Sequence, residues 1–213
     1  MIEIKNIKGN DLTNDKLIPD LKRMQEELKQ VSVEELISKS GARYENNSLC
    51  IGVFFQEFEI DRDNFIIKNS DGNPESIMFQ SIVLSYLTTS DGTPPSKKLI
   101  SFRELPDGSN YCHAFQGYAP DRLASHFQQD IDGFIKTCSK IGGIPVDIGD
   151  AGYEFEVFPK IKITCVYYLG EEAFPSGASL LFDSSVSHYM VTAGLASIGS
   201  KLVDIIIGNS AES

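Results

Sequence analysis

The sequence predicts an α+β fold in which a mixed, largely antiparallel sheet is packed by several amphipathic helices. Apolar residues recur at helical spacing near both ends of the chain and in two middle segments. Between these segments, β-branched and aromatic residues alternate with polar ones, which is typical of strands with one buried face. No internal repeat and no Pro-, Ser- or charge-rich linker divides the 213 residues, so we expect residues 1–213 to form a single domain.

Two helices are expected at the N-terminal end, over about residues 10–40. Ser32 is a suitable N-terminal cap for the second helix, and Gly41 is a suitable stop. A hairpin is expected next, because residues 49–67 place Ile, Val and Phe around turn-forming Asp and Asn residues. The apolar face of the first helix consists of Leu17, Leu21, Met24, Leu28 and Val31.

A third helix is expected to begin at Pro74 and to continue through an almost wholly apolar segment to Leu87. Residues 86–115 follow, and they interleave turn formers, aromatic residues and paired charges too irregularly for a simple helix or strand. We therefore expect a long loop there, of the kind that carries function.

The second half of the chain is expected to contain one long helix, two strands and a closing helix. The long helix begins at Pro120, carries a single apolar stripe and ends at Gly142-Gly143. On either side of Pro159 the residues alternate with a period of two, which predicts two antiparallel strands. The closing helix spans residues 190–207, and residues 208–213 are expected to be frayed.

The charge balance argues against nucleic acid as a partner. The chain has 30 acidic and 19 basic residues, and its formal charge of −11 at pH 7 repels phosphate backbones. Two local basic pairs, Lys97–Lys98 and Lys160–Lys162, are interpreted as solubilising charges.

A cytoplasmic protein that does not enter the membrane is expected. No segment reaches the ~18 consecutive apolar residues of a membrane span, and the first ten residues lack the apolar region of a signal peptide. The four cysteines are widely spaced and include no Cys-x-x-Cys motif, which is typical of reduced thiols.

A hydrolase or metal-assisted enzyme is one possible function. Asp183, His188 and the Glu171/Glu172 pair fall in turns, and such carboxylates and imidazoles serve as general acids, bases or metal ligands. Cys112 and His113 are adjacent, but on a strand they would point to opposite faces. Because no ligand spacing typical of a metal motif is present, no metal site is predicted.

A binding site around Arg103 is the other possible function. In one interpretation, Arg103 and Glu104 form a structural salt bridge beneath an aromatic lid on the core. In the other, Arg103 reaches into a cleft and binds a carboxylate or phosphate through two parallel hydrogen bonds, which a lysine could not copy.

Several short motifs, in their order along the chain, resemble a known family. They run from Gly41-Ala42 and Tyr44, through Ile100-Ser101-Phe102-Arg103-Glu104-Leu105-Pro106 and Phe155-Glu156-Val157-Phe158-Pro159, to Leu181-Phe182-Asp183 and His188-Tyr189. In this combination, nearly the whole chain resembles the prokaryotic, mostly anaerobic domain-of-unknown-function family 3786. The resemblance implies no established activity, so it leaves the function unknown.

The same resemblance implies a metabolic setting. Some family members are fused to the four-cysteine iron–sulfur domain of corrinoid proteins, which implies a corrinoid or one-carbon context. This chain has no such cysteine cluster, so it resembles the stand-alone form, with no iron–sulfur cluster and no other cofactor expected. An acidic pair that the family pattern implies after His188-Tyr189 is replaced by Ala193-Gly194, which would weaken any hard-cation site.

Together these observations predict an accessory module that binds a small anionic ligand, a cofactor or a partner protein. The hydrolase remains the alternative, and the catalytic residues and oligomeric state stay open. Three turn-rich segments are expected to converge on one pocket. The candidate ligand-binding residues are Asp91, Ser101, Arg103, Glu104, Tyr111, Glu171, Glu172, Asp183 and His188.

Overall fold

The computed structural model describes residues 11–46, 48–171 and 174–210. Its helices are α1 (Asp11–Lys29), α2 (Val33–Ser40), α3 (Ile77–Thr89), α4 (Gly108–Tyr118), α5 (Pro120–Phe127), α6 (Ile131–Lys140) and α7 (Thr192–Ser210). Its strands are β1 (Arg43–Glu45), β2 (Ser48–Val53), β3 (Gln56–Ile60), β4 (Ile67–Lys68), β5 (Leu99–Ser101), β6 (Ile144–Val146), β7 (Ala151–Phe158), β8 (Ile161–Tyr168) and β9 (Gly177–Asp183). Short 3₁₀ turns occupy Phe102–Glu104 and Val186–His188.

The α+β class is confirmed. The described strands form two antiparallel sheets, one in the order β1-β2-β3-β4 and the other in the order β5-β9-β8-β7-β6. The Phe54 N–H donates to the Val157 carbonyl at 3.1 Å and so connects the first sheet to the second. Buried residues from both sheets and from the helices belong to one apolar cluster.

The N-terminal helices follow their sequence signals. Ser32 accepts a hydrogen bond from the Glu35 N–H at 3.2 Å, and Gly41 ends α2 in the left-handed conformation with φ of 74°. The start expected at Pro74 is wrong by three residues, because Ser76 caps α3 by accepting from the Phe79 N–H, and Pro74 instead forms a β-bridge with Lys68.

Residues 86–115 are not the long loop that we expected. Only the middle of this segment is irregular, and the rest contains the end of α3, β5, a 3₁₀ turn and most of α4. Gly108 permits the tight entry to α4, since a Cβ there would lie 2.0 Å from the Phe102 carbonyl oxygen. Cys112 and His113 therefore lie on a helix, so the strand geometry assumed for them is wrong.

The long helix expected from Pro120 to Gly142 is also divided. Gln128 has φ of 51°, a left-handed conformation that ends α5, and Asp130 then caps α6 by accepting from the Gly133 N–H at 2.9 Å. Tyr167 donates to the Gln128 carbonyl at 2.7 Å and holds the break in place. At the C-terminal end, α7 continues to Ser210, three residues beyond the expected end.

The five-stranded sheet has two different faces, and this difference positions the sites described below. Ile163, Cys165, Leu180 and Phe182 point into the core and are fully or nearly fully buried. The opposite face carries polar and charged side chains from the same strands, and the segment at residues 95–97 borders it. Among the described residues, no helix is long and apolar enough to cross a membrane.

Candidate functional site

Asp183, at the end of β9, holds the segment that leads into β5. Its carboxylate accepts five hydrogen bonds from described residues: from the N–H and hydroxyl of Ser96, the N–H of Lys97, and the N–H and hydroxyl of Ser185, at 2.6–3.0 Å. Burial alone would raise the pKa of Asp183, but the hydrogen bonds from Ser185 and Ser96 outweigh it and lower the pKa to about 2. This carboxylate is thus an anchor for two turns.

A second attachment of the same segment is the contact between Asp91 and His188, the latter five residues after Asp183. The Asp91 Oδ2 lies 2.7 Å from the His188 Nδ1, and the Thr93 Oγ1 lies 3.2 Å from the same nitrogen. Tyr189 donates its hydroxyl hydrogen to the Thr93 carbonyl. The hydrogen bonds from Thr93, followed by the one from His188, lower the pKa of Asp91 to about 2. Two predicted site residues, Asp91 and His188, therefore contact each other, and a third, Asp183, joins them in attaching residues 91–97 to the end of β9 and the turn that follows it.

Ser101 and Glu104 also interact, but in a structural way. The Glu104 carboxylate accepts from the N–H and the hydroxyl of Ser101, both at 2.8 Å, and these bonds lower its pKa. The pair forms a capping box for the 3₁₀ turn at Phe102–Glu104. The Glu104 carboxylate is therefore engaged by hydrogen bonds from Ser101. Among the described residues, Glu104 and Arg103 form no salt bridge.

Arg103 borders a cleft of about 240 Å³, which we call the Arg103 cleft. The rings of Phe102 and Phe115 stack at 4.0 Å beside it, and Leu180 and Leu181 of β9 contribute further apolar surface. Gln116 lies along the same cleft and donates to the Ala178 carbonyl of β9 at 3.3 Å. Strand β5 pairs with residues 181–183 of β9, so it does not cover β9 at Ala178. The remaining lining residues are Ser101, Cys112, His113, Pro120 and Ser179.

The other predicted residues lie elsewhere. Tyr111 is 60% exposed on α4 and borders a separate cleft of about 190 Å³ between α4 and α7. Glu171 follows β8 and forms a bridge with Phe174, next to the start of β9. Strand β9 has seven residues and is about 20 Å long, so Glu171 and Asp183 lie near its opposite ends. Glu172 lies outside the described residues.

Metal-ligating side chains are dispersed in the described part of the chain, where no three His, Cys, Asp or Glu side chains form a group that could hold an ion. Cys138 and Cys165 are fully buried, and burial raises the pKa of each thiol. Ser184 donates to Ser96, and His188 binds Asp91, so these residues of the 183–188 turn serve to attach residues 91–97.

The structure also assembles a site that the sequence analysis missed. Lys97, Lys160 and Lys162 border one groove of about 400 Å³ on the polar face of the five-stranded sheet, which we call the lysine groove. The signal was present as two basic pairs in an acidic chain, but each pair was interpreted on its own. The other residues that line this groove are Pro95, Leu99, Val146, Glu154, Pro159, Thr164 and Asp183.

Comparison with known proteins identifies the family and nothing more specific. No curated protein and no solved structure matches the chain. A family model described as a domain of unknown function, DUF3786, matches residues 32–204, which include both sheets, the Arg103 cleft and the lysine groove. The chain therefore belongs to the DUF3786 family.

Proposed function

We propose that this protein is a binding module whose Arg103 cleft takes a small anionic molecule with a compact apolar body. The observation that carries this proposal is the combination of Arg103 with apolar walls. Among the described residues, Arg103 has no side-chain partner, and stacked Phe102 and Phe115 lie beside it. A cleft with apolar walls and one cation fits a ligand that joins a ring or short chain to a carboxylate or phosphate.

The polar groups of the cleft support this ligand class. No carboxylate is among the residues that line it, and the nearby carboxylates of Glu104 and Asp121 accept hydrogen bonds from Ser101 and Gln116. Ser101, Ser179 and His113 supply additional groups that can hydrogen-bond to an anion. Gln116 is already bound to Asp121 at 2.6 Å and to the Ala178 carbonyl, so it gives the cleft a fixed wall.

A binding role accounts for the geometry better than hydrolysis does. Hydrolysis by Asp183, His188 and the Glu171/Glu172 pair requires these side chains to converge. The Asp183 carboxylate instead accepts five hydrogen bonds from Ser96, Lys97 and Ser185. Glu171 lies at the other end of β9. We therefore place no catalytic residue in this group.

The proposed setting follows from the family resemblance. We propose a cytoplasmic accessory protein of anaerobic prokaryotes, in corrinoid or one-carbon metabolism, that carries no cofactor of its own. A protein partner is the second candidate occupant, and the exposed Tyr111 beside the cleft between α4 and α7 is the observation that favours it.

Nuclear magnetic resonance titration of the ¹⁵N-labelled protein tests the proposal. Benzoate serves as the compact apolar anion, and benzamide, which has the same shape without the charge, serves as its control. We expect saturable shifts at Phe102, Gln116 and Ser179 with benzoate, and a loss of about tenfold in affinity in Arg103→Gln. Lys98→Gln, a nearby charge change outside the cleft, is expected to retain the affinity.

Equal binding of benzoate and benzamide, or unchanged affinity in Arg103→Gln, would show that the cleft does not select anions. Mass spectrometry of small molecules released from gently purified protein then identifies the natural ligand. An aromatic or short-chain acid that is retained by the wild type and lost from Arg103→Gln would support the proposal.

A further inference from the structure

The lysine groove combines residues from all five strands of the second sheet or from the turns beside them. Leu99 of β5 pairs with Asp183 of β9, and Thr164 of β8 pairs with Glu154 of β7. Paired residues of antiparallel strands project to the same face, and Thr164 also pairs with Leu181, two residues before Asp183. The groove is therefore a continuous strip of one sheet face, opposite the buried core.

Two of the three lysines have no acidic partner in the described part of the chain. The Lys162 Nζ lies 2.7 Å from the Glu154 Oε1, so this amine is paired within the groove. Lys97 and Lys160 have no side-chain hydrogen bond or ion pair with any described residue. The Asp183 carboxylate accepts the backbone N–H of Lys97 and also accepts four hydrogen bonds from Ser96 and Ser185.

Both of these unpaired lysines are held in place. Lys97 has φ of 61°, a left-handed conformation that a lysine rarely adopts, and Asp183 stabilises it by accepting the Lys97 N–H at 2.7 Å. Lys160 is half-buried, its N–H donates to the Tyr86 hydroxyl, and a Cβ at Gly41 would lie only 3.3 Å from its Cε. The backbone of Lys97 and the stem of Lys160 are thus held, which leaves fewer torsions to be ordered when a ligand binds.

The strand order sets the spacing of the charges. Lys97 lies two residues before the edge strand β5, whereas Lys160 lies in the turn before β8 and Lys162 near the start of β8. Strand β9 lies between β5 and β8. Two strand spacings place these backbones about 10 Å apart. On the β5 side of the groove, Leu99 is 37% exposed and offers apolar surface, and β9 contributes Asp183 between β5 and β8. Thr164 of β8 is 2% exposed at the floor.

We propose that the lysine groove is a second binding site, for an elongated small molecule with an anionic group at each end and a short apolar chain between. One anionic group would bind Lys97, and the other would bind Lys160 beside the Lys162–Glu154 pair. Linear dicarboxylates and phosphonocarboxylates share this chemistry. A volume of about 400 Å³ accommodates a molecule of that size.

Titrations of the ¹⁵N-labelled protein at low ionic strength test the groove. The ligands used are succinate, glutarate and adipate, then 3-phosphonopropionate, with butyrate and hexanoate as singly charged controls. We expect saturable shifts at Leu99, Lys162 and Thr164, and tighter binding of the dianions than of monoanions of similar length. Comparison of succinate with 3-phosphonopropionate, which both have two methylenes between their anionic groups, distinguishes a preference for a carboxylate from one for a phosphate-like group.

Substitutions locate the effect. Lys97→Gln and Lys160→Gln are each expected to weaken dianion binding about tenfold. Lys98→Gln is the matched control, because it removes the same charge from the next residue, outside the groove, and we expect no change. The amide spectrum of each variant reports whether it is folded.

Equal affinity for dianions and monoanions, an equal loss in Lys98→Gln, or no saturable shift with any dianion would overturn this inference. The outcome is independent of the proposed function, because Arg103→Gln is expected to lower benzoate affinity and to leave dianion binding unchanged. A dianion whose binding is lost in Arg103→Gln would instead belong to the Arg103 cleft and would also overturn the second site.

Discussion

The backbone N–H of Lys97 donates to the carboxylate of Asp183 at 2.7 Å, across 86 positions of the sequence. This one bond joins the last residue of β9 to a lysine in the left-handed conformation and so sets the direction from which that lysine approaches the groove. Asp183, chosen from the sequence as a possible ligand-binding or catalytic residue, thus acts on the candidate groove through the chain that it anchors.

Asp183→Asn is expected to destabilise the protein by about 2 kcal/mol, because a neutral amide satisfies fewer of the five donors and accepts weaker hydrogen bonds. Urea unfolding followed by circular dichroism measures the change. Asp204→Asn is the control, since it removes an exposed ion pair with Arg122 and should cost less than about 1 kcal/mol. Equal effects of the two substitutions would contradict the anchoring role.

The stability is expected to fall in acid because of Asp91 and Asp183. The pKa of each is lowered in the folded protein to about 2, below the model-peptide value of 3.8. Such groups bind more protons when unfolded, so their stabilisation is complete above about pH 4 and is lost as the pH falls toward about 2. We expect the difference in unfolding free energy between wild type and Asp183→Asn to shrink over this range. A difference that is constant from pH 5 to about pH 2 would contradict it.

Two glycines of α4 are expected to respond oppositely to alanine. Gly108→Ala should destabilise by about 2 kcal/mol or more, because its Cβ would overlap the Phe102 carbonyl. Gly117→Ala should stabilise by about 0.5–1 kcal/mol, since no atom lies within 4 Å of a Cβ at that helical position. Thermal unfolding of both variants shows whether each substitution raises or lowers the stability. A similar loss of stability in both variants would contradict the close approach of Gly108 to Phe102.

The four cysteines are expected to react with a thiol reagent in two groups. Cys138 and Cys165 are fully buried, and burial raises the pKa of each thiol, so both should be modified only as the protein unfolds. Cys50 and Cys112 are half-buried and should react first. Alkylation of the native protein, followed by peptide mass spectrometry, gives the order. Early modification of Cys165 would contradict the packing of β8.

Regular periodicity allowed much of the fold to be predicted from the sequence. Helix α3 is apolar almost throughout, β7 and β8 alternate with a period of two, and Ser32 and Gly41 are strong local signals. Helix α4 was missed because its entry depends on a close approach between Gly108 and Phe102, which is not visible as a pattern. The break at Gln128 was missed because a tyrosine 39 positions away stabilises it.

The candidate sites were less predictable, because they depend on contacts between distant residues. Asp91 and His188 were both selected for their chemistry, but their pairing spans 97 positions. The two basic pairs were interpreted as solubilising charges because nothing in the local sequence shows that β9 would pair with β5 on one side and β8 on the other. Arg103 and Ser101 border one cleft, whereas the Glu104 carboxylate accepts hydrogen bonds from Ser101 in the local cap.

The hydroxyl of Tyr86 connects three parts of the molecule, donating to the Ser40 carbonyl, 46 positions earlier, and accepting from the Lys160 N–H, 74 positions later. Contacts of such long range close large loops and form late in folding. During synthesis, the N-terminal helices and α3 must therefore wait until the β7–β8 turn has left the ribosome before this junction can close. Roughly the first three quarters of the chain emerges before the nascent protein can reach its final packing.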